Sequence, residues 1–591
     1  MIKNEINPFT LEIIKDSLMA IGDEMFYALS RTSMSPIIYE VLDYATGLTD
    51  ARGQLLTQGN GVTSFIGMLS TMVQEILKKY DNGAALKPGD IIIMNDPYKG
   101  GGSHLSDVGL CMPIFYEGEL VAFSSNKGHW TEVGGKDPGS FTSDSTDIYQ
   151  EGLQFPAIKL FNEGIVNDSV VEMIEANVRF PDLSIGDLWA QVAALKTGEK
   201  RFLEICNKHG KEQILYAIDH LLDQGEKVAK AELKKLPKGT FTAEDYIDDD
   251  GFGNGPFKIK VKVTITDDEF IVDYRGSQPQ VKGPVNCSYY ALMAGVRTLF
   301  LAVTNPTQNI NDGVFRPLKL ITDRKSILSA ERPAPVSINF EGRLCGADLI
   351  WKALANDLPN RLVAGHFLSI CSITLTGNHP DTKEPFLIVE PSVGGWGAGE
   401  NLDGNSAQFC VGPGETYNVP VEVAEKRFGV LIDEYCLHTD GQGSGEYTGG
   451  FGVIRAYRVL SDNQTVTSMF GRHKFAPWSI DGGQEGSPNK VVIRKKDGTV
   501  LGPYGLKARI PLDKDDVVKL ITGTGGGYGN PLHRKPEKVK EDVINGYITI
   551  RDAKEKYGII IDENLNEIIG FTKERIHLTP TNSPEYKSRI G

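Results

Sequence analysis

The run Phe257-Lys258-Ile259-Lys260-Val261-Lys262-Val263-Thr264-Ile265 alternates apolar and polar residues almost without a break. Only a strand with one buried and one wet face has that period. The chain before it reads differently. Leu11, Ile14, Leu18, Ile21 and Met25 recur at helical spacing over 9–31, and further helices are predicted at 65–80, at 170–177 and over a long stretch at 187–229. Ile91-Ile92-Ile93-Met94 and the segment 120–124 are short strand signals within this half. Beyond about residue 420 short strands between glycine-rich turns dominate, at 453–459, 490–493 and 517–521, before a helix at 539–553 and a polar tail after Thr579. The fold class expected is therefore α+β with several subdomains: a mixed N-terminal half that carries helices, and a β-rich C-terminal half. With 591 residues, the chain exceeds the ~250–300 that one core supports. The expected regions are 1–240 (α+β), 241–420 (central α/β), 421–532 (β-rich) and 533–591 (a helical extension and tail).

A net charge of −15 argues against a nucleic-acid surface, which needs a basic stripe to displace counterions. The longest basic run, Arg494-Lys495-Lys496, stands beside the turn signal Asp497-Gly498. Seven cysteines at 111, 206, 287, 345, 371, 410 and 436 are scattered and never spaced as CxxC, which favours a reducing compartment over a disulfide framework. The N-terminus lacks a charged region followed by an apolar run, and no stretch approaches the ~18 apolar residues of a membrane span. A cytoplasmic protein is expected.

The chemistry concentrates in the N-terminal third. The segment Asn95-Asp96-Pro97-Tyr98-Lys99-Gly100-Gly101-Gly102-Ser103-His104-Leu105-Ser106-Asp107 places His104 and Asp107 three apart, so both can point to one side of a turn. A second strand delivers His129 after Asn126-Lys127-Gly128. Imidazole and carboxylate together suit zinc, manganese or iron(II), and the glycines allow close backbone approach. The alternative is ordinary loop histidines that cap a helix or bond a carbonyl. A fourth ligand would be an acid, and Glu40 and Asp43 sit in the otherwise apolar stretch 35–44. Buried acids need a partner; either a metal or a salt bridge from Arg31 or Arg52 would serve. Asp43 and Asp96 are candidates to orient the histidines, or are turn and salt-bridge residues.

Glycine clusters invite a nucleotide reading, but a phosphate loop of the form Gly-x4-Gly-Lys-[Ser/Thr] does not occur in the sequence. Gly523-Thr524-Gly525-Gly526-Gly527-Tyr528-Gly529 follows a strand yet runs into Asn530-Pro531, where no helix pattern opens. Bends and tight turns in a β-rich region account for it better. The segments 394–399 and 481–487 could line a pocket or be surface turns. Among the other histidines, His366 and His473 are the ones to look for near a cavity.

Taken together, these segments resemble the hydantoinase B/oxoprolinase family. The matching stretches are 35–43, Asp50-Ala51-Arg52-Gly53, 95–107, His129 with Val133-Gly134-Gly135, Pro138-Gly139-Ser140, 148–153 and 522–531. The resemblance implies a divalent metal (zinc or manganese) held by Glu40, His104, Asp107 and His129. It also implies ATP bound on a separate hydantoinase-A-type subunit, and hence a hetero-oligomer. The implied substrates are small cyclic amides, opened hydrolytically after phosphorylation; the alternatives are carboxylation of a ketone, as in the acetone and acetophenone carboxylases, or a structural subunit. Departures such as His129-Trp130, where paired histidines are common, bear on substrate class more than on fold.

Overall fold

The computed structural model describes residues 7–59, 61–306, 309–414, 416–565 and 567–578; the expected tail after Thr579 lies outside them. The N-terminal region is built on β1 (Tyr44–Asp50), β2 (Leu55–Gln58), β3 (Ile91–Met94), β4 (Asp107–Tyr116), β5 (Glu119–His129), β6 (Ile158–Asn162) and β7 (Ile165–Val166). They form one seven-stranded sheet in the order β2-β1-β5-β4-β3-β6-β7, antiparallel at every pairing.

Helices cover both faces of this sheet. They are α1 (Pro8–Thr32), α2 (Pro36–Tyr39), α3 (Ile66–Lys79), α4 (Asp168–Asn177), α5 (Pro181–His209) and α6 (Lys211–Leu233). Val108, Leu110 and Met112 of β4 pack with Leu188, Val192 and Leu195 of α5. On the opposite face Gly109 lies so close to α3 that a Cβ there would meet the Met72 sulfur. A strand buried on both faces loses the alternation that marks a half-buried one. For that reason β5 extends to His129, well beyond the 120–124 its sequence signals: its second half, Ser125 to His129, is polar and nevertheless buried. The helix expected at 187–229 is two, because Gly210 takes φ 82° and ends α5. The helix expected at 539–553 is also two (Pro536–Ile544 and Ile550–Tyr557), separated by the Gly546 turn and restarted by a Thr549–Asp552 capping box.

The second sheet holds β8 (Gly239–Ile247), β9 (Phe257–Ile265), β10 (Phe270–Asp273) and β11 (Leu318–Ile321), in reverse sequence order. Strand β9 shows the alternating burial its sequence predicts. Helices α7 (Tyr289–Val303) and α8 (Asn339–Leu354) pack on each other, and α8 also packs on β8 and β9. A third sheet pairs Ser372–Asn378 and Pro385–Glu390 with Gln464–Met469 and Leu506–Leu512. It therefore crosses the division expected at 420/421, and one apolar cluster runs from Phe26 to Leu520. Sequence-local composition shifts at 420, but the sheet forms by pairing distant segments. A five-stranded sheet between Val430 and Ile521 and a short hairpin, Ile559–Ile561 with Ile568–Phe571, complete the chain. No helix among the described residues is long and apolar enough to cross a membrane.

Two polar devices hold these layers. Gln191 on α5 is fully buried: its Oε1 accepts from Trp130 Nε1 (2.8 Å) and its Nε2 donates to Val108 O (2.9 Å) and Asn126 Oδ1 (3.0 Å). Gln191→Leu strands all three partners in the core. It is expected to cost about 2–4 kcal/mol in chemical denaturation; a loss well under 1 kcal/mol would contradict the role. His473 bonds Asp249 Oδ2 at 2.9 Å, while its backbone N–H donates to Asp248 Oδ2 at 2.8 Å. Burial alone would lower its pKa, but the hydrogen bonds and charges of Asp248 and Asp249 outweigh that and raise it to about 9. The folded state thus favours the protonated ring. Its contribution, at most about 3 kcal/mol, is complete below the unfolded pKa near 6.5 and lost as pH rises through about 9. Stability of the wild type should fall between pH 6.5 and 9 more steeply than that of His473→Gln.

Candidate metal centre and its cavity

Three adjacent strand ends converge at one end of the first sheet. His129 is the last residue of β5 and Asp107 the first of β4, and they stand directly opposite each other in the register. Strand β1 pairs Tyr44 with Gly128, and the His129 N–H donates to Asp43 O at 2.9 Å. Leu42, at φ 61°, turns the chain between α2 and β1 just ahead of Asp43. A non-glycine residue in the left-handed region costs about 1–2 kcal/mol, a strain this turn carries at the site.

The loop before β4 brings in His104. Asn95 staples it: Nδ2 donates to Leu105 O (2.7 Å) and Leu153 O (3.0 Å), and Oδ1 accepts from Phe155 N (2.7 Å). Gly102 is required here, since a Cβ would lie 2.6 Å from His104 O and 2.8 Å from Asp107 O. Ser103 donates from its N–H and its hydroxyl to Asp107 Oδ2. The other oxygen, Oδ1, faces His104 Nε2 at 3.3 Å. Phe141 stacks on both imidazoles, with ring centroids 4.8 Å and 5.1 Å away.

His104, Asp107 and His129 are buried, and one donor atom from each lies within 4.8 Å of the others. Neither ring nitrogen of His129 has a hydrogen-bond partner, and neither does His104 Nδ1. Each such buried orphan costs about 1–3 kcal/mol, and no tautomer of His129 relieves both. A cation with bonds of about 2.0–2.2 Å would use these lone pairs after a small closure of the cluster. The residues therefore fit a divalent metal. Burial pushes the Asp107 carboxyl up, but the charges of His104 and His129 and the Ser103 hydroxyl hold it far below the usual range. Burial and the neighbouring His104 push His129 down to about 3. Both shifts leave the donors in their ligating forms.

Of the two candidate acids, Asp43 lines the cavity and Glu40 does not. Glu40 caps the C-terminus of α2, is partly exposed and does not line the cavity. Asp43 lines it beside the three donors, and burial with the nearby Asp107 charge raises its carboxyl to about 7. The donor atoms gathered within 4.8 Å are those of His104, Asp107 and His129; Asp43 stands beside them on the cavity wall, directly after the left-handed Leu42. Asp96 also lies away from the cavity. It caps the turn Pro97–Lys99 and pairs with Arg332 at 3.0 Å.

The cavity measures about 60 Å³. Its wall is largely apolar, with Ile37, Val62, Phe65, Phe141, Phe340 and Val389, and is broken by Asn339 and Arg343 of α8. The last two were not singled out from the sequence; the helix that carries them is buried almost throughout, which only the structure shows. Thr416 belongs both to this wall and to a neighbouring pocket of about 880 Å³. Trp396, from 394–399, lines that outer pocket; the segment 481–487 lines neither. His366 is structural, stacked on Trp396 and accepting from Val411 N at 3.2 Å. The segment after Ile521 enters a 3-10 turn, Pro531–His533, and no long helix follows it directly.

A large, mainly antiparallel chain whose strand ends carry two histidines and two aspartates into one buried cavity defines the class. The chain belongs to the hydantoinase B/oxoprolinase family, whose model matches residues 7–531. It is 33% identical over 582 residues to a protein assigned as the B component of a D-/L-hydantoinase from Pseudomonas sp. (strain NS671), covering 95% of this chain and 96% of that one. It is 30% identical to the beta chain of the caprolactamase from Pseudomonas jessenii, over 95% and 97% of the two chains. The crystal structure of the ATP-dependent caprolactamase from that organism superposes with a TM-score of 0.89 over 97% of this chain and 98% of that one, at 28% identity. The nucleotide-free structure of an acetone carboxylase shares the fold (TM-score 0.90, 18% identity, 99% and 83% covered).

The geometry sets an order among variants. Metal content of the purified chain is expected to fall severalfold or more in Asp107→Ala, His129→Ala and Asp43→Asn, and to stay at the wild-type level in Glu40→Gln. Elemental analysis of matched preparations checks this; the opposite ranking of positions 40 and 43 would refute the assignment.

Proposed function

We propose that the chain is the substrate-processing, metal-containing subunit of an ATP-dependent cyclic-amide hydrolase of the hydantoinase–lactamase type. It acts with a hydantoinase-A-type partner that binds ATP and phosphorylates the amide oxygen. The observation that carries this reading is near-full-length similarity to the B component of a hydantoinase and to the beta chain of a caprolactamase, together with a small apolar cavity holding buried amide-type donors and acceptors.

His104, Asp107 and His129, with Asp43 as fourth donor, would hold a zinc or manganese ion. When bound, such an ion supplies a Lewis acid and lowers the pKa of water. The chain's own residues do the rest. Ser103 fixes the Asp107 carboxylate through Oδ2, which turns Oδ1 toward His104 Nε2. Phe141 fixes both imidazole planes and keeps bulk water from them, which strengthens the electrostatics of the site. The apolar wall accepts the methylene face of a small ring.

The test uses the chain assembled with its ATP-binding partner and follows ATP turnover against a panel of hydantoins, lactams and ketones, with and without bicarbonate. Cyclic amides should drive turnover without bicarbonate. Turnover driven solely by a ketone plus bicarbonate would replace this reading with a carboxylase.

A further inference from the structure

Two polar side chains of α8 face the cavity with bonding capacity unused. Asn339 is 1% exposed, and neither its Oδ1 nor its Nδ2 has a partner. The carboxamide thus offers one donor and one acceptor whichever way it is flipped. Arg343, four residues on and so on the same helix face, is 5% exposed with an unpartnered Nε. No carboxylate forms an ion pair with its guanidinium among the described residues. Its stem lies against α7, where a Cβ on Gly295 would sit 3.2 Å from Arg343 Cγ. Its charge reaches Asp43 across the cavity. A buried, unpaired guanidinium is strongly unfavourable unless an anion meets it.

The segment leading into α8 is held rigidly. Glu151 accepts from the N–H groups of Val336 and Ser337, each at 3.0 Å, and from the Ser145 hydroxyl at 2.7 Å. Asn339 and Arg343 are therefore presented on a fixed helix start, whose positive dipole end adds to the attraction for an anion.

We infer that Arg343 and Asn339 form the receiving site for the activated substrate: Arg343 takes the phosphoryl oxygens, and Asn339 pairs with the ring nitrogen. The inference rests on the amide reading above. A guanidinium meets two phosphoryl oxygens in one plane. A ring amide is held cis, so its N–H and C=O lie along one edge, and a carboxamide matches that edge with an acceptor and a donor. Phosphorylation of the oxygen with loss of the N–H proton to solvent gives an O-phosphorylated imidate whose C=N nitrogen carries a lone pair, and Asn339 then donates to it. A ketone-derived phosphate would satisfy Arg343 but has no nitrogen for Asn339, so Asn339 is the residue that separates the two substrate classes.

Calorimetry with inorganic phosphate on the metal-loaded full chain tests the first half. Arg343→Met should weaken phosphate binding by about tenfold or more, with Arg343→Lys intermediate because it keeps the charge and loses the fork. Asn339→Leu should bind phosphate as the wild type does. In the assembled complex it should lower kcat/KM for cyclic amides by about tenfold, the effect of one lost buried hydrogen bond. Metal content should be unchanged in all three variants. Melting temperatures of Arg343→Met and Asn339→Leu should equal or exceed the wild type, since each removes an unpaired buried group; a structural role would lower them. Phosphate bound equally by wild type and Arg343→Met overturns the inference even if amides are turned over. Phosphate binding lost in Arg343→Met, in a wild type that turns over no cyclic amide, overturns the amide reading and the role of Asn339 while supporting the anion site.

Discussion

The antiparallel register of β1, β5 and β4 is the constraint on which the site depends. Asp107 opposes His129, and Gly128 opposes Tyr44. Asp107 and His129 therefore face each other at one level of the sheet, with Asp43, just ahead of β1, beside them. A slip by one residue would turn every side chain to the other face, sending His129 toward α5 and away from Phe141. Register is set where a face is buried, and here both are. Gln191 bonds Val108, Asn126 and Trp130 from the α5 face, which locks the two central strands at the point where the histidine emerges. Rigidity of this kind matters because ligating atoms a few tenths of an ångström out of place lose much of their affinity.

The same end of the molecule concentrates unsatisfied polar atoms. His104 Nδ1, both nitrogens of His129, Asn339 Nδ2 and Oδ1, and Arg343 Nε are all buried without partners, and all six belong to residues around one cavity of about 60 Å³. Around Asn95, Glu151 and Gln191 in the same layers, by contrast, the buried polar groups are closely met. Other buried atoms without partners, such as Lys127 Nζ and Arg472 Nε, are scattered singly, whereas these six face one cavity, where open donors and acceptors favour recognition at the expense of stability.

Much of this was legible in the sequence, and the reasons for the rest are physical. Strand β9 announces itself through its half-buried alternation, and α1 and α3 through their apolar stripes. The second half of β5 does not, because Ser125 to His129 is polar and its burial is supplied by helices far away in the chain. His104, Asp107 and His129 were readable as donors on two glycine-rich loops; their convergence was not, since it follows from strand pairing. Glu40 and Asp43 are equivalent by composition, and only the folded chain shows that Asp43 lines the cavity while Glu40 does not. Asn339 and Arg343 lie more than 200 residues from the histidines and carry no spacing signal, so only the tertiary fold, which sets them on the wall of the same cavity, reveals them.

The glycine-rich C-terminal half shows what such segments do when they do not cradle phosphates. A Cβ on Gly525 would lie 1.9 Å from Trp396 O, one on Gly449 1.9 Å from Gly525 O, and one on Gly395 2.2 Å from Gly450 O. These backbones interlock at distances no side chain allows, so glycine is demanded by packing along the whole contact. The interlocked layer ends at Trp396, whose ring lines the outer pocket next to the wall shared through Thr416. Its glycines thus form a closely packed backing to the pocket that adjoins the histidine cavity.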